Sequence, residues 1–198
     1  MRTSSKLKNW EIALLLALCV TLLTGVWAQA RQARLASGLI RLHVIAVSDD
    51  DVEQAVKLRV RDAVLAYLSP ALDGAADAGA AKTILTQNLS GIRGAAESAA
   101  GGRQVRVTLS PEYYPTRDYG TFTLPAGKYE SLRVILGQGR GHNWWCVVFP
   151  PLCLSAAEEN RITETMDTSD YGIVTGADGY VLKFRLLELW GELMEQLH

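Results

Sequence analysis

The chain has 198 residues, a formal net charge of −1 and an apolar fraction of 48%, which is room for one ordinary domain. The near-neutral charge leaves no electrostatic footprint for nucleic acid, so that class of partner is excluded. Cys146 and Cys153 stand at a C-x6-C spacing with no second Cys or His pair to complete a metal site, so neither a metal nor a cofactor is expected.

Arg2, Lys6 and Lys8 precede an apolar run from Ile12 to Ala28. That run is 17 residues long, at the short limit for a membrane-spanning helix. Basic residues before an apolar core also describe a secretory signal, and Ala28-Gln29-Ala30 has the small-x-small pattern for cleavage after Ala30. Residues 1–30 therefore read as a signal peptide or membrane anchor (spanning at 12–28), and residues 31–198 as an exported domain. Positive charge before the run keeps the N-terminus in the cytoplasm; Arg31 and Arg34 weaken that bias without reversing it. Export leaves Cys146 and Cys153 as an even pair in a compartment that tolerates disulfides. The bland alternative is two buried thiols.

Leu39 to Val47 is almost continuously apolar and predicts a central strand covered on both faces. Ser48 with Asp51 fits a capping box, and Asp49 to Asp51 suit a helix N-terminus. The helix is expected to run to about Leu68, with Val52, Val56, Val60, Val64 and Leu68 as its stripe and Ala55, Leu58, Ala63 and Leu65 widening it. Lys57, Arg59, Arg61 and Asp62 fill the other side, and Pro70 ends the region. A second helix is expected from about Ala80 to Ala99, stopped by Gly101-Gly102. Gly91 and Gly94 cost it stability unless another backbone packs close there.

The period then changes to two. Val105, Val107 and Leu109 alternate with polar residues as in a half-buried strand. Pro111 to Pro115 reads as an aromatic-rich loop, Tyr119 to Leu124 as a second strand, Pro125 to Lys128 as a turn and Tyr129 to Leu136 as a third strand. Gly137 to Gly141 leads into Trp144 to Phe149, whose bulky and β-branched residues favour a strand. Pro150-Pro151 stops that strand, since neither donates a ladder hydrogen bond. Ser155 to Asp178 is polar and aperiodic, and Gly179 to Leu197 has the stripe of a closing helix. The sum is an α+β domain: an initial strand, two helices, an antiparallel β-meander with a Trp-rich strand, and a C-terminal helix.

His142, Asn143 and Cys146 are the residue types of a cysteine-protease triad, but they lie within five consecutive residues, whereas triad members come from separate elements. No catalytic residue is assigned. Gly137 to Gly141 lacks the Lys-Ser/Thr of a phosphate loop. His43 reads as polar glue in an apolar strand, and Arg41, Arg59, Arg61 and Asp62 as an ion network. Adjacent Trp144 and Trp145 must point to opposite faces of a strand. One enters the core; the other, exposed beside Tyr113, Tyr114 and Tyr119, would make a recognition surface, unless both are buried.

Two stretches carry a resemblance. One is Ile40-Arg41-Leu42-His43-Val44-Ile45-Ala46-Val47-Ser48-Asp49 running into Gln54 to Leu65; the other is Gly139 to Cys153, with His142-Asn143-Trp144-Trp145-Cys146 at its centre. Over about residues 39–197 the chain resembles the stage II sporulation protein R (SpoIIR) family of endospore-forming bacteria. The family commonly carries Asn where Val47 stands. The resemblance implies a signalling protein and not an enzyme. It would be made in the forespore and exported into the space between forespore and mother cell. Its partner would be the extracytoplasmic face of the membrane-embedded aspartic protease (SpoIIGA) that processes pro-sigma-E. On that reading His142, Asn143, Trp144 and Trp145 form the partner-binding surface, held rigid by a Cys146–Cys153 disulfide. The alternatives are a secreted Cys/His hydrolase and a cell-envelope-binding module.

Overall fold

A computed structural model describes residues 8–119 and 122–151. The order is α1 (Asn9–Ser37), β1 (Ile40–Ile45), α2 (Asp51–Leu72), α3 (Ala78–Gln87), α4 (Leu89–Ala99), β2 (Val105–Tyr114), β3 (Arg117–Asp118), β4 (Thr123–Leu124), β5 (Gly127–Leu136) and β6 (Asn143–Phe149). This is the expected α+β class. Cys153, the polar stretch from Ser155 to Asp178 and the expected helix from Gly179 to Leu197 lie outside the described residues.

The sheet is mixed, which corrects the antiparallel meander. Its order is β2-β5-β1-β6. β5 pairs antiparallel with β2 but parallel with β1, and β1 pairs antiparallel with β6. The meander reading assumed that consecutive strands are neighbours. Here β5 inserts between β2 and β1, so that β1 has a partner on each edge and lies inside the sheet. All six of its residues are buried.

Alternation sorts β1 onto two faces. Ile40, Leu42 and Val44 join Leu132, Val134 and Leu136 of β5 against α2, α3 and α4, where Val56, Val60, Val64, Leu68, Leu85 and Ile92 complete the main core. Each fully buried Val or Leu there is worth roughly 1.5–3 kcal/mol. The opposite face carries a smaller aromatic core of Tyr114, Tyr129, Phe122, Leu124 and Val147, joined by Leu35, Ala36 and Leu39 from the end of α1 and the residues after it. α1 is thus one helix with two environments. Its apolar window is wholly exposed and long enough to cross a membrane, and its last turns enter the domain.

Several expectations were displaced by packing. α2 continues through Pro70 to Leu72, although the proline gives up one intrahelical hydrogen bond; burial of Leu72 holds the last turn on the core. Lys57 lies inside and Leu58 outside, reversing their expected sides. The single second helix is two, broken at Asn88, whose side-chain amide donates to the Ile84 carbonyl at 2.8 Å. Asp77 caps α3 by accepting from the Ala80 N–H at 2.7 Å. An added Cβ at Gly91 would meet the Tyr67 ring, whereas Gly94 faces open space. β2 runs through Pro111 to Tyr114, replacing the expected loop; as an edge strand it tolerates the missing N–H. Gly127 and Lys128 belong to β5, not to a turn, and the strand expected over 119–124 shrinks to a two-residue ladder, β3 with β4.

Candidate functional site

The two motif stretches meet at the end of β1. After Ile45 the chain turns through Ser48 to Asp50 into α2, and beside it Gly137 to His142 leads into β6. Gly137 and Gly139 have φ of 56° and 64°, which glycine adopts without strain. The Gly141 N–H donates to the Ala46 carbonyl at 3.0 Å and the Arg140 N–H to that of Val47 at 3.3 Å. Gly141 is pressed so close that an added Cβ would stand 2.2 Å from the Ser48 carbonyl oxygen.

Asp49 is the clamp. Its Oδ1 accepts from the His142 backbone N–H at 2.5 Å and lies 2.7 Å from the His142 Nδ1. The expected capping box therefore does not form: Asp50 is the N-cap residue, without a side-chain cap, and the Ser48 hydroxyl donates to Asp50 Oδ2 at 2.6 Å. From below, buried Lys57 donates to the His142 carbonyl at 3.0 Å and to Gln54 Oε1 at 2.6 Å, while Gln54 Nε2 donates to the Ser48 carbonyl at 2.8 Å. Burial lowers the Lys57 pKa and neighbouring Arg61 acts the same way, against the charge of Asp49, which raises it. Asp49, Gln54 and Lys57 from the first stretch thus hold the loop of the second. His142 and Asn143 remain exposed, the His142 side chain by 76%.

Both tryptophans are half-buried. Trp144 packs against the main core with the Arg61 guanidinium 4.9 Å from its ring centre. Trp145 lies on the aromatic face, with Arg117 stacked at 3.8 Å and His43 at 5.4 Å. Of the three tyrosines expected around it, Tyr114 is buried, Tyr119 partly buried and Tyr113 exposed. Each indole is thus held by a cation and keeps part of its surface exposed. Cys146 is buried while the His142 ring is bonded to Asp49 on the surface, so the two are not disposed as nucleophile and base. The Arg41–Arg59–Arg61–Asp62 network does not form as expected. Arg61 pairs with Asp62 at 2.7 Å, and Arg41 points to the other face of the sheet.

That face joins Arg41 and His43 to Glu112, Ser131 and Arg133, which the sequence pattern did not single out. Cross-strand register puts Thr108, Arg133, His43 and Trp145 in one row and Ser110, Ser131, Arg41 and Val147 in the next. Glu112 links them: Oε1 lies 2.9 Å from His43 Nδ1 and 3.3 Å from Arg133 Nε, and Oε2 accepts from the Ser131 hydroxyl at 2.7 Å. Burial alone would raise the Glu112 pKa; the hydrogen bond and charge of His43, with Ser131 and Arg133, outweigh it and hold the carboxyl below its usual range. The Tyr114 hydroxyl is 2.7 Å from that of Ser131, and burial pushes its pKa far up. His43 is the expected polar glue. Glu112 was hidden because it sat in a presumed loop; the signal was its alternation with Tyr114 and Ser110.

The family model for stage II sporulation protein R matches residues 36–159. The chain belongs to the stage II sporulation protein R family. It is 36% identical over 118 residues to the stage II sporulation protein R of Bacillus subtilis (strain 168), an alignment that covers 58% of this chain and 53% of that relative. The match thus spans about half of the relative's length. No solved structure matches. Both motif stretches, and the Asp49–His142 clamp that joins them, lie within the family match.

Proposed function

We propose that this chain is an exported sporulation signal. It is secreted from the forespore into the intermembrane space, where it activates the membrane-embedded aspartic protease that processes pro-sigma-E. The family match supports the sporulation role, and an N-terminal helix able to cross a membrane supports export. The observation that carries the mechanism is a surface loop fixed by the family's own motif residues. His142 and Asn143 are presented in one conformation because Asp49, Lys57 and Gln54 hold the backbone beneath them. A preorganised loop loses little freedom on docking. Ligand-like activation needs the loop to bind the active state of the protease more tightly than the resting one; a shift from 1:99 to 99:1 needs about 5.5 kcal/mol of such preference. A Cys146–Cys153 disulfide would tie the end of β6 to the segment after Pro151 and keep the loop's strand in register.

The test is co-expression of the full chain, the protease and pro-sigma-E in a host that lacks all three, scored by precursor cleavage. Wild-type chain turns cleavage on; His142→Ala, with Asn143→Ala as a second variant, abolishes it at unchanged protein level. Cleavage that is independent of the chain, or equally strong with both variants, refutes the proposal.

A further inference from the structure

Arg41 is fully buried, and a guanidinium carries five N–H donors. Its Nη2 donates to the Tyr119 hydroxyl. Its Nε and Nη1 have no hydrogen-bond partner among the described residues. The group lies among three aromatic rings, 3.9 Å from the centre of Tyr114, 5.1 Å from Tyr129 and 5.8 Å from Tyr119. Such rings attract a cation by their faces but accept no in-plane hydrogen bond.

Among the described residues, cations outnumber carboxylates around it. Arg117 and Arg133 share this side of the sheet, and the Nε of Arg117 also lacks a hydrogen-bond partner among the described residues. Burial lowers the Arg117 pKa and the nearby charge of Arg41 adds to this, against Tyr119. Glu112 is a carboxylate of this group, and both its oxygens are engaged by His43, Arg133 and Ser131. A buried cation with unused donors is costly unless an anion meets it. Arg pairs with a planar carboxylate in a flat, two-pronged geometry, which suits a guanidinium flanked by ring faces.

We propose that the tyrosine cage around Arg41 binds a carboxylate, which takes over from the Tyr119 hydroxyl as acceptor and engages the unused guanidinium N–H groups. The carboxylate is either a small free anion or one borne on the acidic residue of a peptide. This site faces away from the α2 side of the sheet and does not rest on the signalling reading.

The experiment is thermal unfolding of the full chain in detergent micelles at matched ionic strength, in chloride, sulfate, acetate or N-acetyl-glutamyl amide. Ligand binding to the folded state raises the midpoint with the logarithm of concentration. The expected result is a rise in carboxylate and not in chloride or sulfate, lost in Arg41→Met. A rise in acetate identifies a free anion as sufficient; a rise confined to N-acetyl-glutamyl amide identifies a peptide-borne group. Tyr119→Phe removes the internal acceptor of Arg41 and is expected to steepen the carboxylate dependence, which keeps the test decisive should Arg41→Met not fold. A wild-type midpoint flat in every carboxylate, an equal rise in sulfate, or a slope unchanged by Arg41→Met or by Tyr119→Phe overturns the proposal.

Discussion

Gly141→Ala is the perturbation that most sharply tests the clamp. The new Cβ would stand 2.2 Å from the Ser48 carbonyl oxygen, 2.5 Å from its carbon and 2.9 Å from the Ala46 Cβ. The first two are backbone atoms, so no rotamer change relieves the contact and the two loops must part. Overpacking of this kind costs about 1–3 kcal/mol. Separation also strains the Gly141–Ala46, His142–Asp49 and Lys57–His142 hydrogen bonds, each worth about 0.5–1.5 kcal/mol. A total near 2–4 kcal/mol follows if only part of each is lost. With a urea slope of about 1–3 kcal/mol/M, the denaturation midpoint should fall by roughly 1–2 M. Gly94→Ala is the control. Nothing lies within 4 Å of its new Cβ, and the exchange in a helix should stabilise by about 0.4–1 kcal/mol. Equal midpoints for wild type and Gly141→Ala would refute the reasoning about the clamp.

Glu112→Gln should destabilise by about 2–4 kcal/mol at pH 7, because His43, Arg133 and Ser131 lose a shared anion in a largely buried place. Because the folded-state pKa of Glu112 is depressed, its contribution is present above the unfolded carboxylate value and is lost as pH falls through the folded one. Below the unfolded carboxylate value of about 4.3, the unfolding free energy should therefore fall with pH less steeply in the variant, by up to about 1.4 kcal/mol per pH unit until the folded value is passed. At the other limit, burial pushes the Tyr129 pKa up to about 12, against opposing effects of Arg41 and Gln32. A raised folded value stabilises below the unfolded one, about 10, and the benefit is lost as pH rises towards 12; Tyr129→Phe should shallow that alkaline slope by about one proton's worth. Cys146→Ser and Cys153→Ser should each lower stability by about 2–5 kcal/mol and to a like extent under oxidising conditions, with the difference from wild type vanishing in reductant. A hydrolase would instead lose activity through Cys146 alone.

What the sequence disclosed followed from periodicity. β1 is legible because an apolar run without alternation has one comfortable place, the sheet centre. The stripe of α2 is legible at Val56, Val60, Val64 and Leu68 for the same kind of reason, and all four are buried. The failures mark where long-range contacts decide. Nothing local says that Lys57 points inward; there the His142 carbonyl, 85 residues away, accepts its hydrogen bond. Asp49 has the composition of a helix cap, yet His142 claims it. β5 inserting beside β1 is a matter of topology that alternation cannot reveal. The polar face was hidden because Arg41 and His43 sit in a strand that reads as apolar, while Glu112 sits next to a proline. At the candidate site, His142 and Asn143 are exposed and Trp144 and Trp145 half-buried, with Arg61 and Arg117 over their rings.

The most direct test of the signalling account is reconstitution across a membrane. Vesicles would hold the protease and pro-sigma-E, with the precursor on the inside, and the purified chain would be presented from the outside beside a His142→Ala chain of matched unfolding midpoint. The account predicts that wild-type chain starts cleavage within the vesicle and that His142→Ala does not. Cleavage at the same rate without the chain, or no cleavage with folded wild-type chain and a protease shown to be competent, would contradict it.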